Sequence, residues 1–346
     1  MTGPDPAVAA CRLAVRRELS LLSDGKGGLW SPDVRRGGCV LVACSGGADS
    51  LALLAATIFE ARRAPFRVIG VVVDHGLQDA SADHTARVVA QMAALGADET
   101  ASVRVEVDPG PGGIEAGARE ARYAALSQLA EHFGADQVLL GHTLDDQAET
   151  VLLGLTRGSG GRSIAGMRRG FWREEARFAR PFLDITRAQT EAACRAEGIE
   201  WWSDPHNADP RFVRSRIRHT VMPMLERELG PGVAAALART ADSVREDVDA
   251  LDERAGLIRE EARGEDGWDT LRLEVLTGTP GLQTRVLRLI ALEAGALASD
   301  LTRDHILALS DLLLGPDEGK QIQLPGHLTA YREGNLLRFR RTGDSG

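Results

Sequence analysis

Short unbroken apolar runs alternate with longer amphipathic segments over the first half of the chain. The runs at Cys39 to Cys44, Arg67 to Asp74, Val103 to Val107 and Gln137 to Gly141 have the length and composition of strands buried on both faces. Between them, Asp49 to Arg63, Ser81 to Leu95, Glu115 to Phe133 and Leu144 to Leu155 carry apolar residues at helical spacing. Strands that alternate with helices of this length pair in parallel through right-handed crossovers. The pattern predicts an α/β fold with a doubly wound, mainly parallel sheet, whose ligands bind beyond the carboxyl ends of the strands.

A helix over 7–22 and a Gly- and Pro-containing loop from Ser23 to Gly38 precede this sheet. Past Leu155 come a Gly/Arg loop to Gly170, a strand at Phe178 to Phe182, a helix at Thr186 to Glu197 and a loop at Asp204 to Pro210. The rest reads as mainly helical, over 213–229, 233–260, 279–294 and 302–313, with Met222 and Met224 in its core. A β-hairpin over 321–340 turns at Glu333-Gly334-Asn335. The predicted divisions are an N-terminal helix and loop (1–37), the α/β domain (38–218), a linker helix (219–244) and a smaller, mostly helical domain (245–346).

Composition narrows the classes. No run approaches the roughly twenty apolar residues that cross a bilayer, so no membrane span is expected. The start of the chain lacks a basic region followed by an apolar stretch, so the expected location is the cytoplasm. Cys11, Cys39, Cys44 and Cys194 have no Cys-x-x-Cys spacing, which points to buried thiols rather than a disulfide framework or a metal ribbon. The net charge of −9 argues against nucleic acid, yet eight arginines lie between Arg157 and Arg187 against three acids. Phe171 and Trp172 sit inside that cluster, a combination suited to RNA phosphates and exposed bases as well as to an ordinary solvated face.

The chemistry concentrates where the first strand meets its helix. Ser45-Gly46-Gly47-Ala48-Asp49-Ser50 lets the backbone approach phosphate closely and aims the first amides of a helix at it. The lysine of an ordinary P-loop is missing. This string resembles the PP-loop of the N-type ATP pyrophosphatases, which split ATP between the α and β phosphates and adenylate a substrate. Further strings in order are Val73-Asp74-His75-Gly76-Leu77, Ala118-Arg119-Glu120-Ala121-Arg122-Tyr123, His142 to Thr150, Arg157 to Arg162, Ala165-Gly166-Met167 and Arg180-Pro181-Phe182-Leu183. Together they resemble the tRNA(Ile)-lysidine synthase family over residues 38 to 220, and more weakly beyond.

The resemblance implies two steps on the wobble cytidine of a CAU anticodon in tRNA(Ile). ATP adenylates the C2 oxygen, and the ε-amine of free L-lysine then displaces AMP to give lysidine. It implies ATP contacts at Ser45, Gly46, Gly47, Ala48, Asp49 and Ser50, with Asp74 and His75 near the adenosine. Asp49, Asp146 and Glu149 are the expected carboxylates for Mg²⁺; Asp146 and Glu149 share a helical face, although such acids also favour a helix start on their own. Arg119 is expected on phosphate or on the developing charge of the cytosine, and His142 beside the base or ATP. Arg122, Arg157, Arg162, Asn207, Arg214 and Arg218 are expected on the tRNA, with residues 245–346 as a tRNA-binding domain. Ser215 stands where the family string has Asn, which leaves that contact open.

Two other readings remain at this level: a related adenylating enzyme, such as a tRNA thiolase or an amidating synthetase, or a non-catalytic tRNA-binding module. The absence of paired cysteines and of a glutaminase elbow weighs against the first, and the retained Asp49, Arg119 and Glu149 against the second. The sequence leaves oligomeric state open, a homodimer included.

Overall fold

The computed structural model describes residues 3–23, 38–63, 66–76, 81–108, 113–158, 160–202, 209–264, 267–272, 279–298, 300–315 and 319–342. The chain divides into two compact units: Met1–Thr156 with Gly166–Ala241, and Arg157–Ala165 with Asp242–Gly346.

The first unit is built on a six-stranded sheet of order β3-β2-β1-β4-β6-β5. Strands β1 (Cys39–Ala43), β2 (Arg67–Asp74), β3 (Glu99–Arg104), β4 (Gln137–Leu140) and β6 (Ala176–Ala179) run parallel. β5 (Gly170–Arg173) closes the edge antiparallel to β6. β1 is buried along its whole length, and its alternate residues feed two cores. Val40 and Val42 face a core shared with α1 (Pro6–Ser23), α2 (Ala48–Ala61), α3 (Ser81–Leu95) and α7 (Arg187–Ala196). Leu41 and Ala43 face Tyr123, Leu126 and Ala130 of α4 (Gly113–Phe133). Because the strand order runs outward from β1 in both directions, the connections after β1 and β4 diverge, and a crevice opens outside their carboxyl ends.

Three strands differ from the sequence pattern; β6 ends at Ala179, and the rest of the stretch expected as strand to Phe182 is loop and turn. β3 lies four residues earlier at its start than the apolar spacing suggests. It is an edge strand with no fully buried residue, so its position is set by pairing with β2, Ile69 opposite Glu99 through Asp74 opposite Arg104. The Arg-rich loop ends in β5, which pairs with β6 across a tight turn at Glu174, whose φ is 51°. After α5 (Leu144–Arg157) and the short α6 (Gly161–Ile164), the segment expected as one helix over 213–229 is broken into α8 (Val213–Arg216), a π-helical turn at Ile217–Val221 and α9 (Met222–Leu229). Such insertions gather at functional sites. Met224, expected in a core, is exposed. The four cysteines are buried and free, as their spacing predicts.

The long α10 (Val233–Ala262) carries the division between the units. In the second unit, α11 (Pro280–Glu293) and α12 (Arg303–Leu314) bury Val286, Leu287, Ile290, Leu309 and Leu312 against a sheet. The C-terminal hairpin belongs to a larger antiparallel sheet of order β7-β8-β11-β10-β9. Its strands are β7 (Arg263–Gly264), β8 (Gly267–Arg272), β9 (Gln321–Leu324), β10 (Leu328–Glu333) and β11 (Leu336–Arg341). No described helix is long and apolar enough to cross a membrane.

Candidate active site

The turn between β1 and α2 is shaped by its own residues. Gly46 has φ 81°, and a Cβ there would come within 2.7 Å of Val88 Cγ2. The Ser45 amide donates to Ser50 Oγ at 3.1 Å, and Ser50 Oγ donates to the Gly47 carbonyl at 2.9 Å. Outside the turn, the Trp202 amide donates to the Gly46 carbonyl at 3.0 Å, while His84 Nε2 lies 3.0 Å from the Ser45 carbonyl and its ring packs at a tilt of 42° against Trp202 with centroids 4.1 Å apart. Gly47 caps α2 with no side-chain hydrogen bond, so the first amides of the helix remain for an anion. Just past β4, a Cβ on Gly141 would meet the Ser50 backbone at 3.1 Å, so only glycine lets this strand end approach the head of α2 so closely.

A cavity of about 710 Å³ opens beside the turn. Ser45, Asp74, His75, Arg122, Trp202 and Arg214 are among its lining residues. Asp74 Oδ1 accepts from the Gly76 amide at 2.8 Å, which fixes the chain after β2. Burial pushes the His75 pKa down, and among the described residues its Nδ1 has no hydrogen-bond partner. Arg122 also has its pKa pushed down by burial, and no carboxylate pairs with it among the described residues. An unpaired guanidinium next to an anion-binding turn is a ready counter-charge for phosphate.

Deeper at the same edge, three carboxylates interleave with three guanidiniums. Arg187 lies 3.5 Å from Asp49, 3.1 Å from Asp146 and 3.6 Å from Glu149. Arg214 Nε donates to Glu149 at 2.8 Å and its Nη2 lies 3.3 Å from Asp146. Arg218 meets Glu149 at 2.7 Å and Asp146 at 3.1 Å. The Thr143 amide and hydroxyl hold the other oxygen of Asp146. Thr190 donates its hydroxyl to Asp49.

The charges respond to these surroundings. Burial pushes Asp49 up to about 6, against the lowering effects of Thr190 and Arg187. Burial also opposes ionisation of Asp146, but Arg187 and Arg214 outweigh it and hold the carboxyl below its usual range. His142 is held far below the usual histidine range by burial and by Arg180.

The same geometry bears on the metal expectation. Both oxygens of Glu149 and one of Asp146 are engaged by guanidinium groups, and the cluster's formal charges cancel. No group of three or more His, Cys, Asp or Glu side chains among the described residues could hold a metal ion. Asp49, Asp146 and Glu149 are turned onto arginines here, so a divalent cation would have to displace those guanidiniums to reach them.

The other expected residues separate. Ser45 to Ser50, Asp74, His75, Arg122, His142, Asp146 and Glu149 share the carboxyl-end edge of the sheet. Arg119 is instead exposed, its guanidinium 5.3 Å from the centre of the Tyr123 ring. Arg214 and Arg218, expected on RNA, turn inward onto Glu149. Arg162 belongs to the second unit, where it pairs with Asp252 at 2.7 Å. Asn207 and the side chain of Arg157 lie outside the described residues, as does most of the Ser23 to Gly38 loop. Arg187 stands in the sequence only as the last arginine of the basic cluster and Thr190 not at all, although Thr186 and Gln189 form a capping box that marks the head of α7. Asp145 accepts from the Arg187 amide at 2.7 Å and so supports α7 rather than its own helix.

A glycine turn feeding a helix at the switch point of a parallel sheet, without a P-loop lysine, defines the PP-loop class of ATP-using folds. Residues 21–225 match the family model described as a PP-loop domain, and residues 274–341 that of a TilS substrate binding domain. The tRNA(Ile)-lysidine synthase of Thermobifida fusca (strain YX) is 48% identical over 94% of this chain and 95% of its own length. That of Salinispora arenicola (strain CNS-205) is 47% identical over 98% of this chain and 95% of its own. A U34-tRNA thiolase, NcsA from Methanococcus maripaludis, solved with its [4Fe-4S] cluster, shares the fold. It has a TM-score of 0.54 and 18% identity, covering 69% of this chain and 80% of that one. The chain belongs to the tRNA(Ile)-lysidine synthase family, a family of carbon–nitrogen ligases.

Proposed function

We propose that the protein is an ATP-dependent tRNA(Ile)-lysidine synthase acting on the wobble cytidine of the CAU anticodon. The C2 oxygen of the base attacks the α phosphorus of ATP and pyrophosphate leaves with the displaced electron pair. The ε-amine of free lysine then attacks C2; the C2–O bond breaks, AMP departs with that oxygen, and the amine loses its protons. The observation that carries this reading is the Ser45–Ser50 turn opening onto the cavity beside the unpaired Arg122.

Each group has a physical task in it. The free amides of α2 hold the outer phosphates, and Arg122 offsets the charge that grows on the departing pyrophosphate. Arg214, shared between the cavity and Glu149, lies where phosphate competes with the carboxylate for its guanidinium. Asp49 stands one residue into α2, so its ionisation governs the field at the head of that helix. His142 contributes an uncharged donor. The tRNA is taken to supply the base, with the exposed Arg168 and Arg169 and the second unit among its contacts.

The thiolase alternative is disfavoured by the sulfur chemistry. Cys11, Cys44 and Cys194 are pushed up to about 12 by burial, which suppresses the thiolate that a cluster or persulfide requires. The test is mass spectrometry of the anticodon loop after incubation of tRNA(Ile) with ATP and isotope-labelled lysine. Labelled lysidine at the wobble position is the expected result. Pyrophosphate exchange without the tRNA, or sulfur in place of lysine, rejects the reading.

A further inference from the structure

β4 and β6 are parallel neighbours, with Val138 opposite Phe178 and Leu139 opposite Ala179. His142 and Arg180, shortly past their carboxyl ends, therefore arrive at one point of the sheet edge. Arg180 is 5% exposed and pairs with no carboxylate among the described residues. Neutral acceptors take up its guanidinium instead. Nη1–H donates to the Arg168 carbonyl at 2.5 Å, Nη2–H to Tyr123 Oη at 3.1 Å, and Nε–H to His142 Nδ1 at 3.2 Å. Its carbon lies 4.5 Å from the centre of the Phe171 ring.

A cation buried without a counter-ion is expensive, and filling this space needs no charge. The bond to His142 gives the charge a use. A guanidinium has donors only, so His142 Nδ1 must be an unprotonated acceptor, and the single proton of the neutral ring sits on Nε2. The charged groups acting on the ring are Arg180 beyond β6, Arg122 on α4, Arg214 on α8 and the carboxylate of Asp146 on α5. Cations outnumber the one anion, which opposes an imidazolium.

We infer that Arg180 is a positioning residue that fixes His142 as an uncharged Nε2–H donor to a substrate oxygen, so that the histidine orients substrate and transfers no proton. This rests on reading the edge as the reaction site; the spectroscopic part of its test does not. In nitrogen-15 NMR of the full chain with labelled histidine rings, His142 is assigned by the signal lost in His142→Gln. The expected spectrum has an acceptor-type Nδ1 and a protonated Nε2, unchanged from about pH 5.5 to about 8. A ring protonated on Nδ1, or one that titrates in this range, overturns the inference.

In Arg180→Gln, Nδ1 loses the donor that fixes it as an acceptor, and the spectrum is expected to show a mixture of the two neutral tautomers. Turnover is expected to fall about tenfold while KM for ATP moves less than about twofold. A folded Arg180→Gln chain with an unchanged His142 spectrum and unchanged turnover also overturns it. Should that variant fail to fold, the wild-type spectrum alone decides. An inactive wild-type enzyme with the expected spectrum would refute the proposed function and leave the assigned tautomer standing.

Discussion

In the first unit, Glu60, Asp74, Asp146, Glu149 and Arg180 are charged side chains buried in the fold. In the second, the buried polar residues among those described are Gln283 and Thr329. The second unit meets its charges at the surface, as where Asp252 accepts from both Arg162 and Arg285, and fills its interior with Leu, Ile, Val and Ala. Burying ions opposes folding unless their partners compensate closely, so their presence in one unit calls for a purpose. Glu60 has a structural one: its two oxygens hold Arg16 and tie α2 to α1. The Asp146–Glu149 cluster and Arg180 lie at the carboxyl-end edge of the sheet, where ligands bind in this class of fold.

The contrast can be broken most sharply at Asp49. Asp49→Asn is expected to lower turnover by about a thousandfold or more with an unchanged circular dichroism spectrum, as loss of a charge that acts on the reaction should; an active variant would take Asp49 out of the chemistry. Glu149→Gln leaves Arg214 and Arg218 facing a neutral group and should cost about 3 kcal/mol of unfolding free energy, less than a fully enclosed pair because both arginines are part-exposed. Leu309→Ala in the second unit should cost a similar amount, about 3 kcal/mol, by the different route of an apolar cavity. Urea titrations at low and high salt separate them: only the Glu149→Gln loss should change with ionic strength.

A smaller effect follows from burial of Asp49, which raises its carboxyl from 3.8 to about 6. The unfolded chain loses this proton first as pH rises, so the ionised group weakens the fold progressively above pH 3.8 and fully above about 6. Asp49→Asn should therefore be more stable than the parent at pH 8, by about 1–2 kcal/mol after allowance for partial exposure, and equal to it near pH 3.8. Thermal melts across that range check the sign. The smallest change is expected at the surface of the second unit: Arg162→Ala should shift stability by less than about 0.5 kcal/mol, because Asp252 keeps Arg285. A loss above about 2 kcal/mol would show that the surface ion pairs of this unit carry its stability after all.

Much of this was legible in the chain itself. The buried runs of β1, β2 and β4 and the periodicity of the intervening helices follow from local apolar spacing, so the parallel sheet was predictable. The Ser45–Ser50 turn was equally so, because its glycines, serines and helix start act over six consecutive residues. β3 was misplaced because an edge strand takes its register from a neighbour rather than from its own hydrophobicity. The partners of Glu149 were hidden because Arg187, Arg214 and Arg218 lie far along the chain, and nothing in their local composition distinguishes them from arginines facing RNA. Arg119 and Arg122 lie three residues apart on α4, yet only packing decided that Arg122 lines the cavity while Arg119 lies exposed over Tyr123.

Sequence alone determined the class of fold and the phosphate-binding turn, since both arise from residues adjacent in the chain. Tertiary structure decided which charges meet: it paired the expected metal carboxylates with arginines and set Arg180 against His142. Electrostatic identity depends on distance in space, and in a doubly wound sheet the strand ends that touch can be separated by dozens of residues.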